Sequence, residues 1–525
     1  MRSDRFVVAC LLLLCCLAGL TQFVIDFSVD NVAATSLVWA SSLVMLLYVL
    51  WSDALRTHPL STFAIFGFCF TSQLGALLAQ SASGVALALN LRQPIETFSW
   101  LAIYQVLAIL AHVLYRVFSQ SGKTNSIVGT VLGHVGLYGV PSVGTLWLLG
   151  PMGILGHLLA SVTNGPMGKI GQSVSFVAWA PFLIPVFLAE LGPSYCNRRR
   201  HYPLLVIYVF VIALIGLAAN ARGMMLSGLM TIALCLLLRV MRNDFMVKAK
   251  HLGQLALLGV LVAAIAVPVS DLMVAMTIAR KSRGNASPTK MVEDTWYYFT
   301  QPQQLIAQRA REKLAVGYSS YDETYFDNPL LGRLMETKFH DNALYFGTHL
   351  TTKDEERLWD ITGDFLWTTL PDPVLKFIKI DVDKSSLGFS MGDYLSHLAG
   401  AGDLGGFKTG SVFGQGMAMF GVTFPLIYFC ICPILFLSID VLAYRNTRGE
   451  IMVSVLGMLG IWRMFQYGIT NESLQSMFMS VVRGLPQSIF LFLLLAAFAR
   501  GGNAVLQGLL GAGGKLQSRH LAVRP

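Results

Sequence analysis

Runs of about twenty apolar residues recur from one end of this chain to the other, at roughly 6–25, 32–51, 60–80, 99–118, 129–150, 173–193, 203–220, 223–240, 253–275, 416–440, 451–469 and 486–500. Each is long enough to cross about 30 Å of hydrocarbon as a helix, because only a helix satisfies its backbone polar groups within one segment. Twelve such runs predict an all-α polytopic membrane protein. A spanning barrel would show alternating segments of about 10 residues, and the chain has none of that character. The composition agrees: 54% of the 525 residues are hydrophobic and 13% charged, against about 25% charged in soluble domains.

Four regions follow: helices over 1–275, one long polar segment over 276–411, helices again over 412–500, and a tail over 501–525. The polar segment holds 15 Lys and Arg against 18 Asp and Glu, so the net charge of +9 comes from +12 elsewhere. That excess sits in short connections: Arg56, Arg116 with Lys123, Arg198 to Arg200, Arg239 with Arg242, and Arg445. Basic short loops mark the cytoplasmic side. Both termini are therefore predicted cytoplasmic, with 276–411 facing the periplasm or cell exterior. The charge pattern needs no nucleic-acid partner. The first run follows Arg2 and Arg5 but lacks a clean small-x-small cleavage site, so it reads as an uncleaved span.

The eight cysteines form no CxxC pair, and no metal or other cofactor is expected. GxxxxGK[ST], HExxH and GxSxG are all missing, which removes the sequence signals of P-loop ATPases, zincins and α/β-hydrolases. Within 276–411 the stretches 292–314 and 330–345 read as helices, Pro371 and Pro373 interrupt the next segment, and glycines from 400 to 410 lead back to the membrane. Residues 129–172, rich in glycine and proline, read as one broken span followed by a re-entrant or interfacial piece.

Candidate chemistry lies on the polar side. Arg222 follows the turn Asn220-Ala221, and Arg280, Arg283, Arg333 and Lys408 lie in or beside the large loop. Arg463 sits inside an apolar run, where an ionisable residue marks function unless it snorkels to the interface. Arginine matches phosphate oxygens with two parallel hydrogen bonds and stays charged, so this set suits a lipid diphosphate or another polyanionic head group. His340 and Asp341 form the densest polar group, and either residue type can deprotonate a hydroxyl. Aromatics such as Trp296, Tyr297, Tyr321 and Trp359 fit either a membrane-interface belt or a sugar-binding surface.

Ala221-Arg222-Gly223 opening a span just before the large loop, and the loop's exit through Gly392-Asp393-Tyr394 and Lys408-Thr409-Gly410-Ser411 to Phe420-Gly421, together with the twelve runs, resemble the bacterial O-antigen polymerases (Wzy-type) and related repeat-unit polymerases, relatives of the O-antigen ligases. The resemblance covers roughly residues 200–470. It implies a GT-C-like fold and an inverting, metal-independent glycosyl transfer that joins oligosaccharide units on undecaprenyl diphosphate. The implied partners are that lipid-linked oligosaccharide, the growing glycan and membrane lipid, with a chain-length regulator as candidate protein partner. Arg222, and with it Arg280 or Arg333, would stabilise the departing diphosphate, and His340 or Asp341 would activate the acceptor hydroxyl. The alternatives are a ligase that uses the same donor, and a transporter or flippase of lipid-linked glycans.

Overall fold

The computed structural model describes residues 3–119, 127–163, 166–242, 267–279, 288–314, 321–326, 328–370, 372–384, 386–446 and 449–510. Among them, ten helices are long and apolar enough to cross a membrane. Eight precede the large loop: α1 Phe6–Ile25, α2 Val29–Trp51, α3 Pro59–Ser83, α4 Pro94–Phe118, α5 Val143–Ala160, α6 Met167–Leu191, α7 Arg198–Ala218 and α8 Gly223–Arg242. A shorter apolar helix, α9 Val267–Ala279, leads into the loop. The loop itself is helical, and α10 Thr337–Gly347, α11 Thr352–Trp367 and the helix Pro288–Phe299 each pack on the bundle. After it come α12 Val412–Asp440, the short α13 Val455–Leu459 and α14 Ile461–Tyr467, and α15 Leu474–Gly508.

The all-α membrane bundle is as the apolar runs predict, but two of the twelve expected spans differ and a third is only partly described. The expected span at 129–150 is displaced. A short helix ends at His134, Gly136 (φ 86°) and Gly139 (φ 133°) turn the chain, and the long helix begins only at Val143. Positive φ at both glycines leaves the helical region, so the run cannot continue as one helix. The expected span at 451–469 is broken. Its first residues, Ile451–Val453, pair as a β-strand with Ala443–Arg445, and the rest forms α13 and α14, separated at Gly460. Of the expected span at 253–275, all but the part within α9 lies outside the described residues. In the loop, the helix expected over 292–314 is two helices, Pro288–Phe299 and Pro302–Leu314, because Pro302 lacks the N–H that would continue the first and suits the start of the second.

The bundle has two chemically different ends. At one, Asp440 accepts from the Ser61 amide (3.0 Å) and hydroxyl (2.7 Å) and from Tyr115, next to the β-hairpin whose Ile451 carbonyl accepts from Arg242. Arg56, Arg116, Arg198 to Arg200, Arg239 and Arg445 belong to this end. At the other end lie the 84–93 connection, the turn at Asn220 and the large loop.

Between the ends, α3 and α14 approach backbone to backbone. A Cβ on Gly67 would lie 1.9 Å from the Phe465 carbonyl oxygen, and one on Gly468 would lie 2.7 Å from Ala64 Cβ. Small residues permit this closeness where lipid supplies no hydrophobic drive between helices. Phe63, Phe66 and Phe70 then surround the Phe465 ring with centroids 5.0–6.0 Å away. Polar side chains tie the neighbouring helices: Gln22 Nε2 on α1 reaches the Ser81 hydroxyl and the Val85 carbonyl, both at 3.0 Å, and Ser41 on α2 donates to Gln73.

Candidate functional site

The site grows from an irregularity in α3. Residues Phe70–Leu74 form a π turn, and such single turns within α-helices present backbone groups sideways. The Thr71 carbonyl accepts from the Glu336 amide at 2.8 Å, and the Ser72 carbonyl from the Thr337 hydroxyl at 2.9 Å. The start of loop helix α10 is thereby fastened to a membrane helix. Its far end is fastened by close packing, since a Cβ on Gly414 of α12 would lie 2.4 Å from the Ala343 carbonyl carbon. As a result Thr337 to Leu344 are all buried, although five of these eight residues are polar or charged.

Each buried polar group is satisfied. His340 bonds Ser72 Oγ through Nε2 (3.1 Å) and Ser411 Oγ through Nδ1 (2.8 Å). Burial pushes its pKa down to about 3, so it is neutral. Asp341 is fully buried and accepts from the Arg92 amide (2.8 Å), the Gln93 amide (3.0 Å), the Thr97 hydroxyl (3.1 Å) and Lys338 Nζ (3.3 Å). Its carboxylate thus closes the first turn of α4, where free amides and the helix dipole favour an anion. Lys338 also donates to the Asn90 carbonyl at 2.5 Å. Burial lowers its pKa, opposed by Asp341 and Asp322. In this arrangement His340 and Asp341 clamp α10 to α3, α4 and α12, and neither presents a free face to a bound substrate.

One turn earlier the chemistry changes. Glu336 is 2% exposed and its Oε1 accepts from Gln466 Nε2 and, at 3.2 Å, from the Tyr467 hydroxyl of α14. Burial raises its pKa to about 7, against the lowering effect of those two bonds. Beside it, Arg333 pairs with Glu323 at 3.3 Å, lies 5.9 Å over the Phe339 ring, and keeps its side chain 54% exposed. Glu323 also accepts from the Tyr321 hydroxyl (3.2 Å) and the Thr409 amide (3.3 Å). Lys408 covers the Tyr321 ring at 4.9 Å and donates to Ser396 at 2.8 Å. Its pKa is lowered by burial and supported by Asp393, Asp403 and Glu323. Glu472 completes the cluster. Burial raises its pKa, while Arg463 and then Arg333 draw it back down.

No family model matches this chain. Nor does any curated protein or solved structure. The site is therefore read from its own chemistry.

Of the residues singled out by sequence, Arg333, Lys408 and Arg463 come together around Glu323, Glu336 and Glu472. His340 and Asp341 stand directly behind them on α10. Arg280 and Arg283 lie outside the described residues, as does the side chain of Arg222. The expected turn before Arg222 is present: Asn220 has φ 47° and its Nδ2 donates to the Met276 carbonyl at 3.0 Å.

Sequence reasoning passed over Glu323, Glu336, Glu472, Gln466 and Tyr467. One signal was available, because Gln466 and Tyr467 follow Arg463 by three and four residues and so share its helix face. Among the described residues, no group of three or more His, Cys, Asp or Glu side chains is arranged to hold a metal ion.

Taken together, a buried carboxylic acid whose pKa burial raises to about 7 lies beside Arg333, while Glu472 and Glu323 engage Arg463 and Lys408 nearby. Such a set can bind a polyanion and take up one proton.

Proposed function

We propose that this protein is a glycosyltransferase that polymerises oligosaccharide units carried on undecaprenyl diphosphate, with Glu336 as general base and Arg333 and Arg463 as the diphosphate site. The observation that carries the reading is the position of Glu336, a buried acid whose pKa is raised to about 7, beside Arg333, whose ordered partner is the Glu323 carboxylate. A base is most effective when its pKa lies near the working pH.

In the reaction, the acceptor hydroxyl takes the place of the Tyr467 hydroxyl against Glu336. Its oxygen attacks the anomeric carbon of the donor, the carbon–oxygen bond to the diphosphate breaks, and configuration inverts. The proton passes to Glu336 and the electron pair leaves with the diphosphate. Arg333 and Arg463 then stabilise the charge that develops on the leaving group, with geometry that is already in place. Lys408 adds a third positive charge on the loop side.

The orientation proposed is cytoplasmic termini and a periplasmic loop in a bacterial inner membrane, supported by the basic residues gathered at the loop-free end. A GT-C-like architecture fits a membrane bundle capped by a helical loop. An O-antigen ligase would use the same donor site and differ only in acceptor.

The test is to incubate purified protein with a lipid-linked oligosaccharide, without nucleotide, and to analyse the glycan. A ladder of lengthened products, lost in Glu336→Gln and in Arg333→Ala, supports the reading. Consumption of donor with a single transfer to an added acceptor indicates a ligase. Intact donor with every acceptor tried rejects the glycosyltransferase reading.

A further inference from the structure

Arg333 is fastened at its backbone and lightly held at its tip. Its carbonyl accepts from Gln466 Nε2 at 3.3 Å, the same amide that donates to Glu336, so the last turn of the helix Pro329–Leu334 is tied to α14 beside the proposed base. The guanidinium rests over the Phe339 ring and makes one ion pair among the described residues, Nη2 to Glu323 Oε2 at 3.3 Å. With the side chain 54% exposed, its remaining donors face solvent.

Glu323 is held more firmly than the arginine it meets. It lies on the irregular segment 321–326, which is tied down on several sides. The Tyr321 amide donates to the Ala401 carbonyl (3.1 Å), Asn342 Nδ2 to the Asp322 carbonyl (2.6 Å), Gln80 Nε2 to the Tyr325 carbonyl (3.1 Å) and the Tyr325 hydroxyl to the Leu87 carbonyl (2.8 Å). Within the side chain, Oε1 accepts from the Tyr321 hydroxyl and the Thr409 amide, which leaves Oε2 for Arg333. The carboxylate is therefore anchored through one oxygen and offers the other. A second cation stands close by: Lys408, over the Tyr321 ring, draws support for its charge from Asp393, Asp403 and Glu323. Loss of Arg333 would thus not strand Glu323 as an unpaired, half-buried anion, which is the costly outcome when an ion pair is broken.

The chemistry of the transfer gives this arrangement a use. When the bond to the glycan breaks, the departing diphosphate gains an ionised oxygen, so it binds an arginine more tightly than the donor did. Tight product binding slows turnover wherever release is the limiting step. Resting on the polymerase reading, we propose that Glu323 is a positioning residue acting through Arg333, as a displaceable counter-ion. It yields the guanidinium to the donor diphosphate, turns its charge to Lys408, and reclaims the guanidinium to expel undecaprenyl diphosphate.

The test is binding of a fluorescent undecaprenyl diphosphate to the purified full-length protein, with its dissociation followed after a chase of unlabelled lipid. Glu323→Gln keeps an oxygen for Tyr321 and Thr409 and removes the charge. It is expected to bind about fivefold more tightly than wild type, the upper worth of an ion pair this exposed, with the gain in slower dissociation. A carboxylate that merely braced the loop would give the opposite sign, weaker binding on its removal. In an Arg333→Ala background the same change should alter affinity by less than about twofold, because the partner through which it acts is gone. Equal or weaker binding by Glu323→Gln, or a gain carried by association alone, overturns the proposal and leaves the diphosphate site standing. So does a full gain that persists with Arg333→Ala, since Glu323 would then act on the ligand directly. No binding to wild type or to Glu323→Gln removes the polymerase reading as well. Should Glu323→Gln fail to fold, Glu323→Asp decides: its shorter side chain withdraws the carboxylate from Arg333, so slower dissociation is again expected, and an unchanged rate overturns the proposal.

Discussion

The Tyr467 hydroxyl donates to Glu336 Oε1 at 3.2 Å, joining α14 to the large loop where, among the described residues, the loop's only deeply buried glutamate meets the bundle. This contact gives Glu336 a partner that a substrate hydroxyl can replace. It also separates the proposed chemistry from the clamp formed by His340 and Asp341 one turn further on.

Glu336→Gln is expected to reduce polymer formation by about 10²–10⁴-fold, the contribution of a positioned general base. In the wild type, the rate should rise with pH around a midpoint near 7, because the base must be deprotonated. A rate profile flat between pH 6 and 8, or a Gln variant of normal rate, would remove Glu336 from the mechanism.

Arg333→Ala should cost about 10²–10³-fold in turnover, as expected for one donor to a developing anion. Arg333→Lys should recover part of this, since charge is kept and paired geometry lost. Steady-state kinetics on the lipid-linked substrate would measure both, and full activity in Arg333→Ala would sink the diphosphate assignment.

Asp341→Ala leaves Lys338 buried without its carboxylate and four donors without their acceptor. Breaking a buried pair in this way costs about 3–5 kcal/mol. The expected result is lower abundance and a lower melting temperature in detergent, with turnover retained by the fraction that folds. A well-folded, inactive Asp341→Asn would instead return the role of base to this residue.

Two buried groups on the loop give opposite pH signatures in stability. The folded pKa of Glu336 is raised from 4.5 to about 7, so its protonated form stabilises the fold, and that contribution is lost as pH climbs through about 7. The folded pKa of His340 is lowered from 6.5 to about 3, so its contribution is full above 6.5 and lost as pH falls toward 3. Melting curves against pH should therefore lose slope above pH 5 in Glu336→Gln and below pH 6.5 in His340→Asn. Unchanged curves in both variants would contradict the burial of these side chains.

Gly67→Val should prevent assembly of α3 with α14, because even a Cβ would lie 1.9 Å from the Phe465 carbonyl oxygen. Overpacking costs about 1–3 kcal/mol when side chains alone must yield, and here the obstacle is backbone. Loss of membrane-inserted, detergent-stable protein is the outcome to look for, and normal yield would contradict the close approach.

The sequence by itself determined that this chain is an all-α membrane bundle, since apolar runs of about twenty residues leave the backbone no other way to satisfy its hydrogen bonds in lipid. It also determined which connections are basic, that the polar loop stands apart from them, and that Asn220 turns the chain before Arg222. These properties are local, readable from composition and spacing. Where the apolar character continued but the backbone did not, at Gly136 and Gly139 and at the hairpin beginning at Ala443, one expected span is displaced and another is broken. Only the tertiary structure decided what the polar residues do. His340 and Asp341 look like free acid–base groups in a polar stretch, yet Ser72, Ser411 and the amides of Arg92 and Gln93 occupy them fully. Glu336 looks like an ordinary surface acid until Gln466 and Tyr467, some 130 residues away, enclose it. Burial and long-range pairing set a group's protonation and reach, and neither is written in the residues that flank it.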